Sequence, residues 1–167
     1  MKISYLLILL SLTLGTPSQI DVSEVRTAYI KASGDEQAVE QLNSKLISVT
    51  TTDDKVLVAY KGAVGTMMAK YAKGLKDKKS LFKEGVSLLD YAVTSDSLNV
   101  EIRCIRLSVQ ENAPKITGYK KNIDDDKAFI LKNYNSMTDE GAKKFVKGYA
   151  LRSKVFNDNE RQLFQGL

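Results

Sequence analysis

The 167-residue chain has no histidine, no tryptophan and a single cysteine. A Cys/His zinc site, a Ser-His-Asp triad and a Cys-His dyad each need residues that are missing, so one chain can form none of them. There is no glycine-rich phosphate loop either: Gly62 and Gly65 lie inside a helical pattern, without the preceding strand such a loop requires. Strand signals are nearly absent; Lys55–Tyr60 looks β-branched and alternating but merges into a helical period. The triplet Asp124-Asp125-Asp126 lacks the alternating acids, following glycine and distant glutamate of a calcium loop. Acids in the first turn of a helix favour its dipole, and that is the role expected of all three. No metal, no cofactor and no catalytic residue is expected.

What is present reads as one helical domain. Hydrophobic residues make up 43% and charged residues 27%, which suits a globular chain with a substantial core. The formal charge of +5 is mild and the basic residues are interspersed with acids, which points to no specific nucleic-acid partner. Lys2 followed by the apolar run Ile3–Leu14 and the small residues near Gly15-Thr16-Pro17-Ser18 has the form of a secretory leader. Twelve helical residues reach only about 18 Å against a hydrocarbon core of roughly 30 Å, so a spanning anchor is not expected. Residues 1–18 are therefore read as a signal peptide cut between Thr16 and Ile20, and residues 19–167 as a single domain, periplasmic or secreted. Removal of Lys2 leaves a net charge of +4. Cys104 on an apolar stripe is expected to be a buried small hydrophobe.

Seven or eight helices joined by short polar turns follow. Asp21-Val22-Ser23-Glu24 resembles a capping box, and Asn157-Asp158-Asn159-Glu160 another. A third helix, near Lys55–Lys73 and capped by Thr52 or Asp53, has small residues Val58, Gly62, Gly65 and Ala69 on one stripe. Two mid-helix glycines on one face predict close approach by a neighbour. Residues 74–79 read as a basic connector, and a fourth helix covers Ser80–Thr94. Ser95-Asp96-Ser97 is expected to cap the central helix, Leu98–Val109. There, Leu98, Ile102, Ile105 and Val109 oppose Val100, Cys104 and Leu107, so the helix should be covered on both sides. Asn99, Arg103, Arg106 and Gln110 form a polar seam between the stripes, and Glu101 and Ser108 a second one. The fold expected is all-α, antiparallel helical hairpins stacked as a short solenoid or an irregular bundle.

Residues 56–98 resemble a degenerate tetratricopeptide unit. Gly85-x3-Leu89 stands where that family's second helix has Ala-x3-Phe, Ala92 is small seven residues after Gly85, and Ser97 takes the place of the closing proline. The chain as a whole is similar to small exported helical proteins of bacteria. The resemblance implies stacked helical hairpins.

Functionally, the residues point to an exported, non-enzymatic binding or assembly module with a protein or peptide partner. The candidate binding residues are Asn99, Arg103, Arg106 and Gln110, with Tyr119 from the aromatic-basic cluster Tyr119-Lys120-Lys121. Arginine suits bidentate recognition of carboxylate or phosphate, but it can equally pair with an acid on an adjacent helix, such as Asp90 or Glu84. Pairing is expected of Arg106, and a ligand-facing role of Arg103. The competing readings are an exported enzyme with an unrecognised site and a binder of anionic envelope polymer using Lys73, Lys76, Lys78, Lys79, Lys120 and Lys121. A concave groove lined by Arg103 and Arg106 would favour partner binding, a deep pocket with converging carboxylates catalysis, and a flat lysine face polymer or membrane contact.

Overall fold

The computed structural model describes residues 20–166, which form eight α-helices and no strand. The helices are α1 (Val22–Lys31), α2 (Glu36–Lys45), α3 (Lys55–Tyr71), α4 (Leu75–Ser95), α5 (Val100–Asn112), α6 (Ile123–Asn133), α7 (Glu140–Arg152) and α8 (Asp158–Gln165). Short 3-10 turns occupy Lys115–Thr117 and Tyr134–Ser136. The expected leader lies outside the described residues.

The helix starts follow local side-chain chemistry. Asp21, Asp35, Asp54, Asn99, Asp139 and Asn157 each accept a hydrogen bond from a backbone N–H in the first turn of the helix that follows. At Asn157 the box is complete, because the Glu160 side chain returns to the cap N–H. At Asp21 only half of it forms; Glu24 instead pairs with Lys45 of α2. Thr52 and Asp53 do not cap α3. Asp53 closes the preceding turn by accepting from the N–H and hydroxyl of Thr50, which leaves the cap to Asp54. Nor do Ser95-Asp96-Ser97 cap the central helix. Asn99 does, accepting from the Ile102 N–H while its own amide donates to Asp96, and Leu98 falls outside the helix.

Helix α4 begins at Leu75, five residues before the expected start, because the lysine-rich connector is itself helical. Lysine is a good helix former, and a run that looks like a linker in composition continues the helix once Gly74 has turned the chain. Residues 72–74 are all that separate α3 from α4, and the two pack antiparallel. Their crossing is set by glycine: a Cβ on Gly85 would sit 2.5 Å from the Gly62 carbonyl oxygen and 2.8 Å from the Thr66 nitrogen. Both obstacles are backbone, so neither can rotate away. On an open helix Gly→Ala would gain about 1 kcal/mol. Here Gly85→Ala should instead destabilise by about 1–3 kcal/mol, as overpacking does. A urea titration showing a stabilised variant would mean the hairpin can open without loss.

The core runs through α3 and α5. Tyr60, Ala63, Val64, Leu89, Ile102, Ile105 and Leu107 are buried together with Val39, Ile130, Val146 and Phe164. Helix α5 touches α3, α4, α6 and α7, so it is covered on more than one side. Cys104 is fully buried, and burial pushes its thiol well above the ordinary range.

Candidate functional site

A helix covered on several sides must dispose of whatever polar groups it carries, and α5 does so with two separate ion-pair networks. The first lies at its N-terminal end. Glu101, expected on a minor polar seam, is buried, and the sequence gives no hint of its partner. Arg26 of α1 clamps it with both nitrogens of its fork, Nε to Oε1 at 2.7 Å and Nη2 to Oε2 at 2.9 Å. The Tyr60 hydroxyl of α3 donates to the same carboxylate at 2.7 Å. Burial, and then the negative charge of Glu101, hold the Tyr60 phenol far above its usual range, so it stays a neutral donor. Hydrogen bonding to Glu101 more than offsets burial at Arg26, which keeps its charge. Arg26 Nη2 also reaches Asp139, the cap of α7, at 3.3 Å. The Glu101 carboxylate thereby ties α1, α3 and α5 together, and Arg26 extends the network to the start of α7.

The second network gathers the predicted seam. Asp126 of α6 is 0% exposed and accepts four hydrogen bonds. Two come from Arg106, at 2.8 and 2.7 Å, one from Arg103 at 3.0 Å and one from Gln110 at 3.1 Å. Arg106 also touches Asp90 of α4 at 3.4 Å, and the Tyr119 hydroxyl donates to that same carboxylate at 2.9 Å. Glu84 takes no part and accepts from Ser80. Burial works against the charge of Arg106, but hydrogen bonding and attraction from Asp126 outweigh it and raise its pKa. Of the acidic triplet, Asp124 and Asp125 are exposed as a dipole role requires; Asp126 is instead the counter-ion of the arginines.

The structure therefore brings Arg103, Arg106, Gln110 and Tyr119 into one connected cluster and leaves Asn99 apart as a cap. Arg103 spends its remaining nitrogens on the Ser97 carbonyl, at 3.3 and 3.4 Å, and lies over the Phe129 ring at 4.6 Å. The buried carboxylates Glu101 and Asp126 are each engaged by arginine, and further by tyrosine or glutamine.

A concave surface lies elsewhere. A groove of about 520 Å³ opens where the N-terminal ends of α1, α3, α5 and α7 meet. Arg26 and Glu101 contribute to its lining, with Val56, Leu98 and Met137 as apolar surface and Asp54 and Asp139 as acids at helix starts. Arg103 and Arg106 do not line it; Asn99, alone of the predicted residues, does. Leu98 is 79% exposed, which no reading of the α5 period anticipates. Comparison of the chain with known protein families, with characterised proteins and with solved structures finds no match.

Proposed function

We propose that the protein is an exported, non-enzymatic binding module that holds a peptide segment of a protein partner in the groove at the N-terminal end of α5. The observation that carries this reading is a bare apolar side chain beside the acids of two helix starts, over a fixed floor. Leu98 stands exposed beside Val56 and Met137, and Asp54 and Asp139 border the same groove. Such a surface fits an apolar side chain next to lysine or arginine. The Arg26–Glu101–Tyr60 network beneath it, with Arg26 also reaching Asp139, holds α1, α3, α5 and α7 in place, so little ordering cost falls on binding.

The tetratricopeptide resemblance supports the same reading. Gly85, Leu89 and Ala92 are all buried on α4, and Gly85 meets Gly62 of α3. The turn between the two helices is three residues, as suits a helical hairpin.

Leu98→Asp tests the reading. An exposed position should tolerate the change within about 0.5 kcal/mol of stability. Binding to the partner captured by the unaltered protein from its native cell envelope should weaken by about tenfold or more, because a desolvated apolar contact is replaced by a charge. Equal affinity of the two proteins for that partner would remove the groove from the binding surface.

A further inference from the structure

We propose that the end of the molecule formed by the α3–α4 turn and the α5–α6 loop docks on an anionic lipid bilayer, with Leu75 and Ile116 entering its headgroup layer. This surface is separate from the groove, and neither reading depends on the other.

Leu75 and Ile116 are the two most exposed large apolar residues described, at 84% and 96%. They are 41 residues apart in sequence but belong to one end of the fold. Leu75 opens α4, and Phe82 lies seven residues on, so the two share a helix face about 10 Å apart. The Phe82 ring meets Tyr119 edge-on with centroids 6.0 Å apart. Tyr119, buried and bonded to Asp90, pins the α5–α6 loop against this face. Ile116 is three residues before Tyr119, in the 3-10 turn Lys115–Thr117, which Gly118 ends with a left-handed φ of 66°. Two bare aliphatic side chains are thus displayed on tethered backbone at the same end.

Charge is concentrated around them. Residues 73–84 and 115–125 hold eight lysines and four acids, a net of +4 out of +5 for the whole chain. This end is therefore net positive, as contact with an anionic surface requires. Lys78 and Lys79, three and four residues after Leu75, flank it on the helix surface, and Lys73, Lys76, Lys83, Lys115 and Lys121 are exposed nearby. Lys120 is less free, with Nζ donating to the Glu111 carbonyl at 2.9 Å.

Lysine alone fits any polyanion. The apolar pair decides between them, since a hydrated anionic polymer offers nothing to bury Leu75 or Ile116, whereas the boundary between headgroups and acyl chains does. Basic residues near an anionic leaflet add attraction that decays over a Debye length.

The test is vesicle co-sedimentation of the protein as recovered from producing cells, using phosphatidylglycerol–phosphatidylcholine vesicles and phosphatidylcholine vesicles. The protein should sediment with the anionic vesicles, much less with the neutral ones, and less as salt rises. Leu75→Ser combined with Ile116→Ser should lower partitioning into anionic vesicles by about tenfold while leaving the thermal melt unchanged, since both side chains are solvent-exposed. Lys78→Gln with Lys79→Gln should reduce it as well and flatten its salt dependence. Two results overturn the proposal: no sedimentation with anionic vesicles, or equal sedimentation of the unaltered protein and the Leu75/Ile116 variant. Equal binding would mean that lysine charge alone is responsible, as for an anionic polymer.

Discussion

Replacing Asp126 with alanine should lower the unfolding free energy by about 3–5 kcal/mol, the usual cost of removing one partner from a buried ion pair. The carboxylate is fully buried and accepts hydrogen bonds from Arg103, Arg106 and Gln110. Without it, Arg106 retains only a 3.4 Å contact with Asp90, which is half-buried and already bonded to Tyr119. A charge costs most when it is buried and unpaired, so the loss comes from the stranded guanidinium as much as from the bonds removed. The neighbours supply the control: Asp124→Ala and Asp125→Ala, both at exposed positions, should each change stability by about 0.5 kcal/mol or less. Arg106→Met in the Asp126→Ala background should recover part of the loss, because it removes the orphaned charge and keeps most of the side-chain volume. Denaturant titration of these variants decides the matter. An Asp126→Ala variant as stable as Asp124→Ala would show that the arginine cluster contributes nothing to the fold.

How much of this was legible in the sequence depends on the range over which each signal acts. The two-sided apolar pattern of α5 and the glycine stripe of α3 are properties of a single helix, and the structure agrees with both except at Leu98, which lies before the helix and is exposed. Gly62 and Gly65 do face a close neighbour, and the neighbour is Gly85. Helix boundaries were less legible because several residues can cap equally well. Asp53 and Asp54 are adjacent and alike, and only the turn hydrogen bonds from Thr50 to Asp53 leave the cap to Asp54. Ion pairing was the least legible. Arg103 and Arg106 stood out as charges on an apolar helix, but nothing local separates Asp126 from Asp124, Asp125 or Glu84 as their partner. Arg26 and Glu101 are 75 residues apart and each looks like an ordinary surface charge. The groove escaped for the same reason, since it is made by four helix ends that meet only in the fold.

Alkali should unfold the protein steeply. The phenols of Tyr29, Tyr60, Tyr119 and Tyr149 are all held above their usual range, chiefly by burial: Tyr29 up to about 12 and the other three further still. Three of them also donate to a carboxylate, Tyr60 to Glu101, Tyr119 to Asp90 and Tyr149 to Glu111, which would repel a phenolate. The sign follows from proton counting. Below about pH 10 the phenols are protonated in both folded and unfolded chains and have no effect on the pH dependence. Above it the unfolded chain releases these protons while the folded chain retains them, so stability falls as pH rises. Each retained proton is worth up to about 1.4 kcal/mol per pH unit, and four together up to about 5 kcal/mol per unit. Against a total stability of about 5–15 kcal/mol for a domain, the transition should be complete within roughly one to three units above pH 10. The helical circular dichroism should be lost in the same step in which these four tyrosines ionise by ultraviolet absorbance. Tyr29→Phe, which removes the phenol bonded to Ser108, should make that step shallower by about a quarter. Ionisation of all the tyrosines near pH 10 with the helical signal intact would mean that these phenols are open to solvent, and the buried networks built on Tyr60 and Tyr119 would fall with them.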